Sequence, residues 1–249
     1  MGIQSIPEHE LARLREKAKE ITGSQFDYQS SYTELLSRRL NGEPLQYIEE
    51  YVPFYSIQIN VDQRCLIPRP ETEYMIEIIK NNIDMPKKIL DVGTGTGCIA
   101  LMMKKLFPDS EVHAVDISND ALSLAKENAE INNLEVNFYQ SDLLSNVETL
   151  DFDLIVANLP YIPTSTLSTL NKEVIDHEPL IALDGGEDGR LYIDKLLNDL
   201  KNIDSKELVL VLEVDTSHAE SLLSSFTDWE DVKLEKDLVE RDRYIVAKK

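Results

Sequence analysis

Cysteine, histidine and positive charge are all scarce in this 249-residue chain. The two cysteines, Cys65 and Cys98, form neither a metal-ligand nor a redox spacing, and a chain of this length buries enough surface to fold without disulfide staples. With 25 Lys and Arg against 46 Asp and Glu, the formal charge is −21. A broad grip on phosphate backbone rests on cations displacing condensed counterions, so this balance argues against direct nucleic-acid binding, and against anionic membrane surfaces for the same reason. No apolar run reaches membrane-spanning length, and Glu8 and Glu10 stand where a secretory leader would be basic and then apolar. Cytoplasmic residence is the expectation. Of the histidines, His9, His113 and His177 read as surface or packing residues.

What is present suits a folded chain. Hydrophobic residues make up 42%, enough for a core despite the charge. The charge is also uneven: residues 1–75 hold 12 acids and 8 bases (−4), which leaves −17 for the remainder. Leu11, Leu14, Ala18 and Ile21 recur at helical spacing between Pro7 and Thr22, and Leu35, Leu36 and Leu40 repeat the habit before Gly42. Tyr55, Ile57, Ile59 and Val61 alternate like a half-buried strand, with Arg64–Ile67 expected to return as its hairpin partner.

After Pro70 the pattern becomes strand and helix in alternation. Strands are expected at 88–92, 112–116, 136–139, 152–157 and 207–213, and helices at 98–107, 119–131, 190–200 and 217–225. That alternation implies an α/β fold with a mostly parallel sheet covered on both faces. Two closing strands, 232–235 and 244–247, lack an intervening helix and predict an antiparallel hairpin at one sheet edge.

Asp91-Val92-Gly93-Thr94-Gly95-Thr96-Gly97 follows the first of these strands and opens a helix. Glycines at alternate positions let the backbone turn tightly and approach a ligand closely. A dinucleotide fingerprint would place its third glycine where Cys98 stands, so a pyrophosphate cofactor is less favoured than a simpler nucleoside. Asp116, roughly 20 residues on at the end of the next strand, is placed to accept ribose hydroxyls. Taken alone, the loop would be a plain glycine turn beside a solvated acid; strand context and Asp116 together outweigh that reading. Asp142 and Leu143, after the third strand, could accept from an adenine amino group and pack on its ring.

Asn158-Leu159-Pro160-Tyr161 follows the fourth strand, at the carboxyl edge where open α/β sheets bind ligands. A planar amide or exocyclic amine is a poor nucleophile because its lone pair is delocalised. Two acceptors holding its hydrogens favour pyramidalisation, and the Asn158 side-chain oxygen with the backbone carbonyl of Leu159 or Pro160 would supply them. Tyr161 offers a flat face to the planar group. No strong base is needed, because the sulfonium methyl of S-adenosylmethionine is already activated and positioning does most of the work.

These residues resemble the S-adenosylmethionine-dependent methyltransferases of class I, whose Rossmann-like sheet has seven strands. More narrowly, they are similar to the family that methylates the glutamine of peptide chain release factors. Leu66-Ile67-Pro68-Arg69-Pro70-Glu71-Thr72-Glu73 resembles that family's motif between its domains, Gly42-Glu43-Pro44-Leu45-Gln46-Tyr47-Ile48 the end of its helical domain, and His177-Glu178-Pro179 through Asp184-Gly185-Gly186 and Asp188-Gly189 its loop after the acceptor strand. The resemblance implies a helical substrate-docking domain over residues 1–52, a β-hairpin linker over 53–70 and the methyltransferase domain over 71–249. It implies that Gly93, Thr94, Gly95, Thr96 and Gly97 line the methionine and ribose part of the cofactor, that Asp116 holds the ribose, and that Asp142 and Leu143 flank adenine. Asn158, Leu159, Pro160 and Tyr161 would bind the target glutamine within a Gly-Gly-Gln tripeptide, with Asn158, Pro160 and Tyr161 carrying catalysis and Asn158 also touching the cofactor. No metal ion is called for.

The chain departs from the family in places. Leu159 replaces the first proline of Asn-Pro-Pro-Tyr, as in related adenine-N methyltransferases of ribosomal RNA, and Asp215 and His218 stand where the family has glycine and glutamine. RNA amino-group methylation, glutamine methylation of a ribosomal protein, and a catalytically silent cofactor-binding adaptor are the alternatives. The acidic catalytic part and the Arg-Pro-Glu-Thr-Glu motif favour the release-factor substrate.

Overall fold

The computed structural model describes residues 6–23, 27–149, 151–201 and 207–249. Helices α1 (Glu8–Thr22), α2 (Tyr28–Leu40) and α3 (Leu45–Glu49) pack around Leu14, Ala18, Leu35, Leu45 and Ile48. Of the segment expected over 1–52, residues 1–5 and 24–26 lie outside the described residues, as do 150 and 202–206 of the segment expected over 71–249. Gly23, at φ 52, ends α1 in the left-handed conformation that suits glycine.

The hairpin that follows differs from the sequence expectation. Strand β1 (Tyr51–Phe54) pairs antiparallel with β2 (Ile57–Asn60), so the partner lies upstream rather than in Arg64–Ile67. Pro53 hides β1 from a propensity reading, yet in a two-stranded ribbon its missing N–H can face outward. The chain reverses through Tyr55, at φ 52, and Ser56. Arg64 is engaged instead by Asp62 and by Glu127 of a later helix, which holds 62–67 as an irregular segment against that helix.

The rest alternates as α4 (Pro70–Asn82), β3 (Lys88–Val92), α5 (Cys98–Leu106), β4 (Glu111–Asp116), α6 (Asn119–Asn132), β5 (Asn137–Gln140), β6 (Leu154–Ala157), α7 (Lys172–His177), α8 (Leu191–Leu200), β7 (Val209–Glu213), α9 (Ala219–Leu222), β8 (Asp231–Lys236) and β9 (Asp242–Lys248). Helix α4 is not among the expected helices. Its signals are Pro70 in the first turn, Glu71 and Glu73 beside it at the positive end of the helix dipole, and buried Met75, Ile76 and Ile79. The seven strands run in the order β5-β4-β3-β6-β7-β9-β8. The first five are parallel, and β9 is antiparallel to both of its neighbours.

Burial on both faces explains the continuous apolar strands. Along β6 and β7, Leu154, Val156, Val209 and Val211 face one core, while Ile155, Ala157, Leu210 and Leu212 face the other. The first core is roofed by α4 and α5, the second by α8 and α9. Strand order reverses between β3 and β6, the place where an open α/β sheet leaves a crevice at its carboxyl edge. No helix among the described residues is long and apolar enough to cross a membrane.

Candidate active site

The glycine loop leaves β3 at this crevice. Gly93, Gly95 and Gly97 have φ of 74, 53 and 82, all in the left-handed region that a side chain would strain. A Cβ on Gly93 would sit 2.9 Å from Leu159 Cδ2, and one on Gly97 would sit 3.1 Å from Ala125 Cβ of α6. Gly97 therefore serves helix packing, and it is not among the residues that line the pocket, whereas Gly93, Thr94, Gly95 and Thr96 are. Beneath the loop, the wholly buried Asp91 accepts from Thr94 Oγ1 at 2.6 Å and from Ala100 N–H at 3.1 Å, while its Oδ1 has no partner. Burial pushes its carboxyl up to about 7.

Asp116 ends β4 on the opposite wall. Its Oδ2 accepts from Gly95 N–H at 2.9 Å and its Oδ1 from Ser118 N–H at 2.9 Å, so the acid braces the glycine loop as well as facing the pocket. Burial raises its pKa, against the pull of those backbone donors. Asp142 and Leu143 continue the wall after β5; Asp142 is exposed, Leu143 is buried with φ 49. Both cysteines also line the pocket as free, buried thiols. A nucleoside with an amino-acid tail fits this trough chemically: there is open space beside Gly95, where a Cβ would meet nothing within 4 Å, with an acid in Asp116 for its hydroxyls and an apolar seat at Leu143.

The same pocket continues to Asn158, Leu159 and Pro160. Asn158 Nδ2 donates to Thr72 Oγ1 and to Glu213 Oε2, each at 3.0 Å. Its Oδ1 has no partner among the described residues and is not a buried atom, so it is offered to the pocket. The carbonyl oxygens of Leu159 and Pro160 likewise have no hydrogen-bond partner among the described residues. Tyr161 does not line the pocket; its hydroxyl donates to Glu213 Oε1 at 3.2 Å, and burial raises its pKa. Leu159 is 4% exposed and packs in the same core as Val92, Leu143 and Leu212. Leu159 thus packs the acceptor loop against Gly93 of the glycine loop.

Three sequence motifs acquire physical reasons here. Within Arg69-Pro70-Glu71-Thr72-Glu73, Arg69 pairs with Glu178, which also accepts from Ile67 N–H at 3.1 Å; Thr72 reaches Asn158. Asp184-Gly185-Gly186 lies along the acceptor loop, with Gly185 N–H donating to Ile162 O at 2.8 Å and Thr164 N–H to Gly186 O at 2.8 Å. A Cβ on Gly185 would come within 2.7 Å of Pro160 O, and one on Gly189 within 2.3 Å of Tyr161 O, so only glycine lets these backbones stack. His218 packs its Cε1 beside Gly189. In Gly42-Glu43-Pro44, Glu43 holds Arg38, and neighbouring Arg39 reaches Glu173 of α7 at 3.0 Å. Glu213 is the functional group that motif reading passes over, since its partners come from α4 and from the loop after β6, far apart in sequence.

Comparison with known proteins identifies the family of the chain. Residues 70–187 match the methyltransferase small domain family. The release factor glutamine methyltransferase of Koribacter versatilis is 38% identical over 226 residues, covering 90% of this chain and 81% of the relative. That of Bacillus cereus is 34% identical, covering 95% and 85%. Among solved structures, a methyltransferase from Pyrococcus furiosus superposes with a TM-score of 0.57 at 20% identity, covering 87% of this chain and 98% of that one, a likeness of fold. With sequence identity of this order over 90–95% of this chain and 81–85% of the relatives, the protein is a methyltransferase and belongs to the release factor glutamine methyltransferase family.

Proposed function

We propose that the protein transfers a methyl group from S-adenosylmethionine to the side-chain amide nitrogen of the glutamine in the Gly-Gly-Gln tripeptide of peptide chain release factors. The observation that carries this reading is the unpartnered Asn158 Oδ1 beside the unpartnered Leu159 and Pro160 carbonyls, in one pocket with the glycine loop. When bound, the cofactor supplies an activated methyl on a sulfonium. Gly93 to Thr96 and Asp116 would hold its amino-acid and ribose parts, and Asp142 and Leu143 its base. Asn158 Oδ1 and the backbone carbonyl of Leu159 or Pro160 would accept the two amide hydrogens of the substrate glutamine, which favours a pyramidal nitrogen with a free lone pair. Positioning of this kind is the main source of acceleration where the electrophile is already activated.

The substrate's two glycines suit a slot walled by Pro68, Pro160, Pro179 and Ile181, because a backbone without side chains can enter it. Residues 1–52 dock the release factor, 53–70 link, and 71–249 form the catalytic domain. The nearly balanced N-terminal charge supports that docking role, and the −17 of the remainder opposes RNA as substrate. The enzyme acts in the cytoplasm, where translation factors work.

The test incubates the protein with labelled S-adenosylmethionine, purified release factors and ribosomal RNA, and locates the methyl group by mass spectrometry. Methyl on the Gly-Gly-Gln glutamine is expected, with Asn158→Ala losing at least about a hundredfold in kcat while cofactor affinity changes little. Methyl on RNA alone, or an Asn158→Ala variant of wild-type activity, refutes the assignment.

A further inference from the structure

An amide side chain can present either its oxygen or its NH2 to a given direction, and the two faces are nearly the same shape. An acceptor role for Asn158 therefore depends on whatever selects one face. Behind Asn158 stand Thr72 of α4 and Glu213 at the end of β7. Thr72 Oγ1 donates to Glu213 Oε2 at 2.9 Å, so it turns a lone pair toward Asn158. Glu213 Oε2 is itself an acceptor 3.0 Å from the Asn158 amide. Two acceptors thus face the amide from within, and a flipped Asn158 would set its oxygen against the Glu213 carboxylate, gaining a hydrogen from Thr72 only if that hydroxyl gave up its bond to Glu213.

We propose that Thr72 and Glu213 are positioning residues for methyl transfer: they lock the Asn158 carboxamide with Nδ2 turned inward and Oδ1 turned to the acceptor site. This rests on the functional reading above and adds to it the device that keeps the acceptor oxygen in place. The lock requires Glu213 as carboxylate. Once protonated, the carboxyl becomes a donor, the flipped amide gains a partner for its oxygen, and NH2 instead of oxygen can face the substrate amide.

The groups facing Glu213 set where that change occurs. Thr72 and Glu71 approach from α4, Tyr161 from the acceptor loop, Arg243 and Tyr244 from β9, and Cys98 from the start of α5. Burial raises the carboxyl and Glu71 adds to that, while the hydroxyls of Thr72 and Tyr161 and the charge of Arg243 oppose it; the outcome is about 7. Turnover then rises with pH through about 7 and falls as Glu213 takes up its proton.

The experiment measures kcat and KM for a release factor at saturating S-adenosylmethionine between pH 6 and 8.5. At pH 8, Thr72→Val and Glu213→Gln are each expected to lower kcat about tenfold, the weight of one buried hydrogen bond, with KM and cofactor affinity unchanged. The rise through pH 7 disappears in Glu213→Gln, and Thr72→Ser, which keeps the hydroxyl, stays close to wild type. In parallel, the Asn158 side-chain NH2 is followed by 15N NMR in the protein without substrate, where its signal should shift with a midpoint near pH 7 in wild type and not in Glu213→Gln. Variants with wild-type kcat and pH profile, losses that only track the folded fraction, or an amide signal indifferent to Glu213 overturn the proposal. A wild type that transfers no methyl to release factors refutes the functional reading instead, and the NMR measurement still decides the orientation of the amide.

Discussion

Asp91 and Glu213 are buried carboxyls that hold their protons to about pH 7, so this protein should lose stability as pH rises through neutrality. Raising Asp91 from an ordinary 3.8 to about 7 makes its ionised form costlier in the fold by about 4 kcal/mol, and raising Glu213 from 4.5 to about 7 by about 3 kcal/mol. The native state binds more protons than the unfolded chain over this window. The contribution is fully present below the unfolded pKa near 4 and is lost as pH climbs through 7, at about 1.4 kcal/mol per pH unit for each group. Asp91→Asn isolates one of them. An asparagine oxygen can still accept from Thr94 and Ala100, and the variant has no charge to bury. Urea unfolding without ligand, at constant ionic strength between pH 5 and 8.5, should show Asp91→Asn gaining about 2–4 kcal/mol on wild type across that range. Acids paired with Arg, such as Asp237, titrate identically in both proteins and cancel in the difference. A gap between variant and wild type that stays constant with pH would refute the buried-carboxyl account.

Further outcomes concern the two loops. Asp116→Ala removes an acceptor for the cofactor hydroxyls and the brace on Gly95, so calorimetry should show S-adenosylmethionine affinity weakened about tenfold or more; an unchanged dissociation constant removes Asp116 from the ribose role. Gly93→Ala costs about 1–2 kcal/mol through its φ of 74 and more through the contact with Leu159. In a Leu159→Ala background only the backbone part remains, so a double-mutant cycle by urea unfolding should reveal coupling of about 1 kcal/mol. Strict additivity would show that the loops are not pinned together.

The parts of the fold legible in sequence are those governed by neighbours in sequence. Glycines at alternate positions, strand-terminal Asp116 and the Asn-Leu-Pro-Tyr turn follow from local backbone chemistry, and the closing strands declare their hairpin by lacking a helix. The parts that were not legible depend on distant partners. Whether β2 pairs upstream or downstream is decided by where Arg64 finds Asp62 and Glu127, and Pro53 obscured the true partner. Gly97 carries the same spacing as Gly93 and Gly95, yet helix α6 claims it for packing. Glu213 reads as the end of an apolar strand; only the folded sheet brings Thr72, Asn158 and Tyr161 around it.

The place of β9 between β7 and β8 ties distant parts of the chain together. Thr72 and Glu213 are 141 residues apart, and β7 gains its second neighbour only when β9, seven residues long, inserts between it and β8. Arg243 and Tyr244, which close over Glu213, arrive with that strand. The glycine loop and the acceptor loop both precede β9 in sequence, so the surroundings of Glu213 are complete only once β9 has docked. The arrangement around Asn158 thereby depends on a strand far from both loops in sequence.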